Sequence, residues 1–372
     1  MPASPVSLAP VSGASVRLRD VTRAWGATRA LDGISLDVAA GSFCVLLGPS
    51  GCGKTTCLRI IAGLENATSG CVEIGGRDVT EAPPAGRGVA MVFQSYALFP
   101  HLTVAENIVF GLTARRVPRA ERARRLERAA GILEIGALLG RRPGQLSGGQ
   151  QQRVALGRAI VAEAPVCLMD EPLSNLDAQL RAEMRREIHA LQRRLGITMI
   201  YVTHDQTEAM SMADQVVLMR DGRIEQTGDP AAIYAHPATA FAAGFIGMPP
   251  MNLLALEAHG GVLVVAGTDG PALAPLPAGS ATRLLAGIRP ETLRLAETGI
   301  PAIATHGEYL GADTVLGCDV AGQRVLVRVP GRADTTPGRP VRLGLAEPVH
   351  LFDAETGRRC APAPHTLEEA SV

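Results

Sequence analysis

A buried strand, a glycine-rich loop and a helix follow one another between residues 43 and 64, and this succession constrains the fold most strongly. FCVLLG (43–48) is a continuous apolar run that ends in glycine, and KTTCLRIIAGL has helical spacing with Gly63 as its stop. Three further apolar runs are typical of buried strands, each followed by polar or helical sequence: VAMVF (89–93), VCLMD (166–170) and MIYVT (199–203). Buried strands that alternate with helices predict an α/β layer with a largely parallel sheet.

The loop in this succession fits the pattern GxxxxGK[ST], which binds phosphates when it follows a strand and opens a helix. Glycines let backbone N–H groups approach the phosphates, and the helix N-terminus adds positive potential. We expect the Lys54 ammonium to reach the β- and γ-phosphates and the Thr55 hydroxyl to ligate Mg²⁺. A purely structural glycine turn is disfavoured because a strand and a helix both flank the loop. The predicted nucleotide-binding residues here are Gly48, Pro49, Ser50, Gly51, Cys52, Gly53, Lys54, Thr55 and Thr56.

Lysine usage supports the same site. Lys54 is the only lysine among the 36 basic side chains, and all the others are arginine. A compact ammonium fits inside such a loop as a point charge, whereas a guanidinium is wider and planar. The basic side chains are balanced by 36 acidic ones, which argues against a nucleic-acid binder that relies on a basic field.

Two later segments complete a candidate catalytic site. In VCLMDE, Asp170 ends a strand and is suited to hold Mg²⁺, and Glu171 is suited to orient or deprotonate an attacking water. LSGGQ begins a predicted helix and has a serine hydroxyl, glycine backbone and helix N-terminus, all of which favour anions. Alone, that segment would be an ordinary helix cap. Its combination with the phosphate loop adds Ser147, Gly148, Gly149 and Gln150 to the predicted nucleotide site.

Together these motifs resemble those of the ATP-binding cassette (ABC) ATPases over roughly residues 15–236. GPSGCGKTT resembles their Walker A loop, LSGGQQQR their signature motif and VCLMDE their Walker B strand. By the same resemblance Trp25 would stack on adenine, Gln94 would sense Mg²⁺ and the γ-phosphate, and His204 would contact the γ-phosphate. Ser174 to Asp177 resembles the loop that crosses to a partner subunit. The resemblance thus implies Lys54, Gln94, Glu171 and His204 as catalytic residues, with Thr55, Gln94 and Asp170 at the metal.

The resemblance also implies an assembly. Two cassettes would sandwich two ATP molecules with Mg²⁺, each held by Walker A of one subunit and Ser147 of the other. Because one chain carries every motif, a homodimer would make two complete sites.

The domain organisation follows from changes of pattern along the chain. Residues 1–13 lack a signal-peptide pattern and are expected to form a disordered tail. The alternation of strands and helices predicts an α/β cassette over residues 14–240, and the family resemblance implies a P-loop, RecA-like core with a helical subdomain at about 95–165. Short β-type runs separated by turns predict a small all-β domain or barrel over 241–372. The resemblance implies that this part is an OB-like regulatory domain. The seven cysteines show no zinc spacing and are expected to be free thiols in a reducing cytoplasm.

SYALFPHLTVAENIVFGL is similar to the segment of importer ATPases that docks on membrane subunits, although its aromatic and leucine side chains could also be plain core. Three C-terminal segments narrow the resemblance to carbohydrate-uptake importers of the maltose type, whose regulatory domain they resemble: FIGMPPMNLL, GIRPETL and EYLGADTVLGCDV. LGADT and LAEPVHLFDAETGRR most resemble the ATPases of sn-glycerol-3-phosphate importers. The implied partners are two integral-membrane permease subunits, a periplasmic solute-binding protein and a regulator of the C-terminal domain. The implied location is peripheral, at the cytoplasmic face of the inner membrane.

Other functions remain open from the residues alone. Maltose, trehalose or another oligosaccharide could be the imported solute, because the ATPase does not touch it. A soluble ABC ATPase of DNA repair or translation would share the nucleotide motifs, but it would usually carry coiled-coil insertions and a basic surface. A P-loop kinase or GTPase has no reason to carry LSGGQ or the histidine of VTHD.

Overall fold

The computed structural model describes residues 12–277 and 283–360. The chain divides into two compact units, one ending at Ala231 and the other beginning at Ala232. Most of the expected N-terminal tail, residues 1–11, and the last part of the expected regulatory domain, residues 361–372, lie outside the described residues.

The N-terminal unit alternates strands and helices, as the apolar runs predict. Its elements, in chain order, are β1 (Val16–Trp25), β2 (Thr28–Val38), β3 (Phe43–Leu47), α1 (Lys54–Ala62), β4 (Ser69–Ile74), β5 (Arg77–Asp78), β6 (Val89–Val92), α2 (Val104–Ala114), α3 (Arg119–Ile132), α4 (Gly148–Val161), β7 (Val166–Asp170), α5 (Ala178–Leu195), β8 (Thr198–Thr203), α6 (Gln206–Met212), β9 (Gln215–Arg220) and β10 (Arg223–Gly228). The helix α7 (Pro230–Ala235) contains the division between the units.

A six-stranded sheet forms the centre of this unit, in the order β10-β9-β3-β8-β7-β6. All neighbouring pairs except β9 and β10 are parallel, so the predicted parallel sheet is confirmed. Every residue of β3, β7 and β8 is buried, which explains why these strands are continuous apolar runs rather than alternating ones. A second sheet, in the order β2-β1-β4-β5, is antiparallel.

The register of the central sheet determines where the site can form. Leu47 pairs with Thr203, and Asp170 pairs with Val202. The carboxyl ends of β3, β8 and β7 therefore lie side by side, in that order, at one edge of the sheet. Ligands of open α/β sheets bind beyond this edge. The residues that follow these three strands are the phosphate loop, His204 and Glu171.

Local backbone geometry explains the bounds of the first helix. Helix α1 begins directly after Gly53 and ends at Gly63, whose φ of 75° lets its N–H bond to carbonyls of the last turn. The predicted glycine stop is thus confirmed. The helices α2, α3 and α4, which lie between β6 and β7 in the sequence, pack on one another.

The C-terminal unit consists almost entirely of strands. Its elements are α8 (Ala240–Phe245), β11 (Asn252–His259), β12 (Val262–Val265), β13 (Ala274–Pro275), β14 (Leu284–Ile288), β15 (Leu293–Ala296), β16 (Ile300–Tyr309), β17 (Asp313–Val320), β18 (Gln323–Pro330), β19 (Pro340–Leu345) and β20 (His350–Asp353). They form two five-stranded antiparallel sheets, in the orders β13-β12-β11-β14-β20 and β15-β19-β16-β17-β18. Side chains of both sheets share one apolar core. The prediction of a β domain is confirmed for the described residues from Asn252 onward, whereas the helix α8 at the start of the predicted range is an exception.

A buried arginine anchors the first helical segment of this unit to its sheets. Arg289 is 5% exposed and donates hydrogen bonds to the carbonyls of Tyr234, at 2.7 Å, and Ala243, at 3.3 Å. Its guanidinium also lies 4.0 Å from the ring centroid of Tyr234. One guanidinium therefore satisfies carbonyls of two helices, α7 and α8, which sequence patterns alone do not bring together.

All seven cysteines are free thiols and are buried or half-buried, as expected. Within the ranges 12–277 and 283–360, no helix is long and apolar enough to cross a membrane.

Candidate functional site

The phosphate loop requires glycine for steric reasons at two positions. Gly53 has φ of 102°, and a Cβ there would lie 2.5 Å from the carbonyl oxygen of Ala30. At Gly48 a Cβ would lie 2.3 Å from the carbonyl oxygen of Met219. Neither neighbour can move away easily, because both are backbone atoms. The close packing of the loop against its surroundings thus excludes side chains at these positions.

Lys54 is folded back over the loop that precedes it. The side chain is 5% exposed, and Nζ donates to the carbonyl oxygens of Gly48, at 2.8 Å, and Pro49, at 2.9 Å. Nζ also lies 3.7 Å from Sγ of Cys52. Burial raises the pKa of the Cys52 thiol, and the nearby ammonium opposes that shift. The ammonium is therefore held inside the loop as a point charge, as the lysine usage predicts.

Thr55 and Asp170 meet across the edge of the sheet. The Thr55 hydroxyl donates to Oδ1 of Asp170 at 2.8 Å. Asp170 is 7% exposed, and burial raises the pKa of its carboxyl, a shift that the Thr55 hydrogen bond opposes. A hydroxyl and a carboxylate are hard oxygen donors of the kind that Mg²⁺ prefers.

Glu171 and His204 form a second contact at the same edge. His204 Nδ1 lies 3.2 Å from Oε2 of Glu171. The backbone of Glu171 has φ of 43°, an uncommon left-handed conformation for a residue with a side chain, and its N–H donates to the carbonyl of Val202 at 3.1 Å. This bond to the neighbouring strand positions the Glu171 side chain beside His204.

Gln94 is engaged by the loop that follows Glu171. Its Nε2 donates to Oγ of Ser174 at 3.4 Å, and Asn175 Nδ2 donates to the Gln94 carbonyl at 3.1 Å. Ser174 Oγ in turn donates to the carbonyl of Glu171 at 3.0 Å. The loop 174–177 therefore contacts both Gln94 and Glu171.

Three predicted residues are held by their own elements rather than by the phosphate loop. Ser147 caps α4 in a reciprocal capping box with Gln150, and Asp177 caps α5 by accepting from the Leu180 N–H at 3.0 Å. Trp25 is 47% exposed, with the Arg23 guanidinium 4.7 Å from its ring. No hydrogen bond in the described part of the chain joins these three side chains to Lys54 or Asp170.

A buried hydrogen-bond network next to His204 was not predicted from the sequence. Glu208 is 3% exposed, and its Oε2 accepts from the hydroxyls of Thr203, at 2.6 Å, and Tyr201, at 2.8 Å. Burial raises the pKa of the Glu208 carboxyl, which these two hydrogen bonds oppose. A signal for Glu208 exists in DQTE (205–208), since an aspartate three residues before a glutamate is typical of a helix start. For Arg181, which contacts Asp205, no such signal exists.

The protein side chains do not form a complete metal site. In the described ranges no group of three or more His, Cys, Asp or Glu side chains is arranged to hold a metal ion. A cation beside Thr55 and Asp170 would need further ligands from a bound nucleotide or water, as is usual for Mg²⁺.

Comparison with known proteins identifies the family. Residues 31–174 match the ABC transporter family, and residues 286–352 match the TOBE domain. The chain is 48% identical over 351 residues to the sn-glycerol-3-phosphate import ATP-binding protein UgpC of Cereibacter sphaeroides, covering 93% of this chain and 99% of that protein. It is also 49% identical over 354 residues to the sn-glycerol-3-phosphate import ATP-binding protein UgpC 3 of Rhizobium etli. That match covers 93% of this chain and 99% of that protein.

A solved structure shows the same cassette fold. It is the dimeric, post-hydrolysis state of an ATP-binding cassette bound to ADP and Pi, with a TM-score of 0.51 and 30% identity. The match covers 58% of this chain and 98% of that one. With its phosphate loop, Walker B strand and signature helix in one N-terminal unit, the chain belongs to the ABC transporter family of nucleotide-binding ATPases.

Proposed function

We propose that this chain is the ATP-hydrolysing subunit of an ABC importer for sn-glycerol 3-phosphate. The assignment of the solute rests on the 48–49% identity, across 93% of the chain, to import proteins named for sn-glycerol 3-phosphate. The observation that supports hydrolysis is the meeting of Lys54, Asp170 and Glu171 at one sheet edge.

Each part of the chain has a role in this proposal. Residues 14–240 form the ATPase domain, with a helical subdomain at about 95–165 that transmits motion to the membrane subunits. Residues 241–372 form a regulatory domain, in keeping with the TOBE match at 286–352. A regulator acting on this second domain is part of the proposal.

The ATP phosphates are bound by the loop from Gly48 to Thr56. The Lys54 ammonium bonds to two loop carbonyls, and we infer that the β- and γ-phosphates of ATP replace these partners. Trp25 is exposed and offers a broad π-face for the adenine ring.

The residues Thr55 and Asp170 fit Mg²⁺, because their oxygens are 2.8 Å apart and Asp170 is buried without a cationic hydrogen-bond partner in the described structure. Gln94 is the third proposed ligand. When bound, Mg²⁺ neutralises charge on the β- and γ-phosphates.

Hydrolysis is proposed to use Glu171 and His204 together. Glu171 accepts a proton from the water that attacks the γ-phosphorus as ADP leaves, and His204 orients this carboxylate through the 3.2 Å contact. By its resemblance to the family's switch histidine, His204 is also proposed to contact the γ-phosphate. The contact between Glu171 and His204 supports a shared role, since a base must be oriented as well as close.

The working unit is proposed to be a homodimer. Ser147, Gly148, Gly149 and Gln150 at the start of α4 bind the ATP held by the other subunit, and Asp177 lies in the loop that crosses to it. Dimeric cassettes among the structural neighbours support this arrangement. The dimer would attach to two integral-membrane permease subunits at the cytoplasmic face of the inner membrane, supplied by a periplasmic solute-binding protein. No nucleic acid is involved.

The test is ATP hydrolysis by the complex reconstituted in proteoliposomes with its permease subunits and binding protein. We expect glycerol 3-phosphate to stimulate hydrolysis several-fold and maltose to have no effect. Stimulation by maltose or trehalose alone would assign the chain to oligosaccharide import. A chain that hydrolyses ATP equally with and without permease subunits, and does not bind them, would contradict a transport role.

A further inference from the structure

The turn that carries His204 is closed by its two neighbours in sequence. The Asp205 N–H donates to the Thr203 hydroxyl at 3.0 Å, and that hydroxyl donates to the buried carboxylate of Glu208 at 2.6 Å. His204 itself is 58% exposed in its side chain, so packing does not hold it. The orientation of its ring toward Glu171 therefore depends on the hydrogen bonds of the residues on either side.

Asp205 is bound on both carboxylate oxygens. Oδ1 caps α6 by accepting from the N–H groups of Thr207, at 2.7 Å, and Glu208, at 3.3 Å. Oδ2 lies 3.5 Å from Nη1 of Arg181 on α5. The cap fixes Asp205 relative to its own helix, and Arg181 fixes it relative to another one.

Arg181 also contacts the loop that precedes its helix. Its Nη2 donates to the carbonyl of Leu176 at 3.2 Å, within the loop 174–177 that contacts Gln94 and Glu171. Its Nε is buried without a partner in the described part of the chain. One planar guanidinium thus joins the loop 174–177 to the turn of His204, which a single-point donor such as lysine cannot do at both ends.

A purely structural role for this ion pair would give a small effect on stability and none on the chemical step. Surface ion pairs contribute about 0–1 kcal/mol, and the Arg181 and Asp205 side chains are 31% and 23% exposed. Arg181 lies between the loop 174–177, which contacts Gln94 and Glu171, and the turn that carries His204. This position points instead to the reaction geometry.

We propose that Arg181 is a positioning residue for ATP hydrolysis, which holds the loop 174–177 and the Thr203-His204-Asp205 turn in one arrangement so that His204 faces Glu171. This inference rests on the proposed roles of Glu171 and His204. Displacement of a reacting group by about 1 Å costs roughly a hundredfold in rate, so a loosened turn should lower kcat without weakening nucleotide binding.

The experiment compares steady-state ATP hydrolysis by full-length R181Q, R181K and the control R186Q, which changes an exposed arginine on the same helix. We expect kcat of R181Q to fall about tenfold with KM for ATP within about twofold, R181K to be intermediate and R186Q to be normal. Thermal unfolding of each variant shows whether the chain remains folded.

The same substitution in an H204A variant distinguishes a failure of the Arg181 role from a failure of the proposed roles of Glu171 and His204. In H204A, adding R181Q should cause no further loss of kcat, because the residue that Arg181 positions is absent. Equal losses in both backgrounds, or a kcat of R181Q within twofold of the wild type while H204A is impaired, would overturn the role of Arg181 alone. An H204A chain that hydrolyses ATP normally would remove His204 from the site, and this proposal with it.

Discussion

The Thr55 hydroxyl donates a hydrogen bond of 2.8 Å to the Asp170 carboxylate, although 115 positions separate the two residues in the chain. Thr55 lies in the first turn of α1, and Asp170 ends β7, two strands away from the strand that precedes α1. The contact joins the phosphate loop to the proposed hydrolytic half of the site. It also defines where a bound nucleotide would meet the two carboxylates at the end of β7, Asp170 and Glu171.

Replacement of Lys54 by arginine should abolish most ATP turnover without unfolding the chain. Lys54 is 5% exposed, and a wider guanidinium cannot take the place of the ammonium between the carbonyls of Gly48 and Pro49. We expect kcat to fall by about a hundredfold or more, measured by phosphate release, with a nearly unchanged circular dichroism spectrum. The converse substitution R119K, at an exposed position of α3, is the control and should be neutral. Near-normal hydrolysis by K54R would show that the loop tolerates a guanidinium.

The variant E171Q should bind ATP and remain dimeric with it, but hydrolyse it at least about a hundredfold more slowly. A glutamine keeps the shape of the side chain and can still contact His204, but it cannot accept a proton from water. Light scattering after gel filtration with ATP measures the dimer, and phosphate release measures turnover. E127Q, at an exposed position of α3, serves as the control. Hydrolysis by E171Q at the wild-type rate would remove Glu171 from its proposed role.

Two glycines of the phosphate loop should respond differently to alanine. Gly51 has φ of 80° with open space around a Cβ, whereas at Gly53 a Cβ would lie 2.5 Å from the Ala30 carbonyl oxygen. G51A should cost about 1–3 kcal/mol of stability from backbone strain alone. G53A should cost more and weaken nucleotide binding by at least about tenfold, because the loop must move. Urea unfolding and binding of a fluorescent ATP analogue check the pair. Equal behaviour of the two variants would contradict the steric explanation.

Acid should destabilise the C-terminal unit through His350. Burial, with the nearby charges of Arg359, Arg289 and His236, lowers the pKa of His350 to about 4. The unfolded chain, with an ordinary histidine pKa near 6.5, then binds more protons than the folded one between these values. The free energy of unfolding is therefore unaffected by His350 above about pH 6.5, and it decreases as the pH falls toward 4.

For this half-exposed ring we expect a loss of roughly 1 kcal/mol between pH 7.5 and pH 5. H350Q should reduce this loss, whereas H259Q, at an exposed position of β11, should not. Urea unfolding followed by circular dichroism at the two pH values measures the difference. A pH dependence that is the same in H350Q and the wild type would assign it to other groups.

Much of the site could be predicted from the sequence because its parts are local. The apolar run of β3, the glycines of the loop and the start of α1 are contiguous, and each has a physical reason that acts within a few residues. The same is true of the cap at Ser147 and of the two carboxylates that end VCLMDE. For the same reason, the four predicted strands are found as β3, β6, β7 and β8.

Tertiary structure decided which of these parts meet and what holds them. The order β3-β8-β7 brings Glu171 beside His204, and no periodicity in the chain specifies that order. Nothing in the sequence distinguishes Arg181 and Arg289 from the other arginines, because every basic side chain except Lys54 is an arginine. Arg181 joins two loops of the site, and Arg289 is buried and donates to backbone carbonyls of the C-terminal unit. Sequence by itself determined the phosphate loop and its lysine, because that chemistry is local. Only the packed sheet decided the contacts between distant loops, because such contacts depend on which strand ends lie side by side.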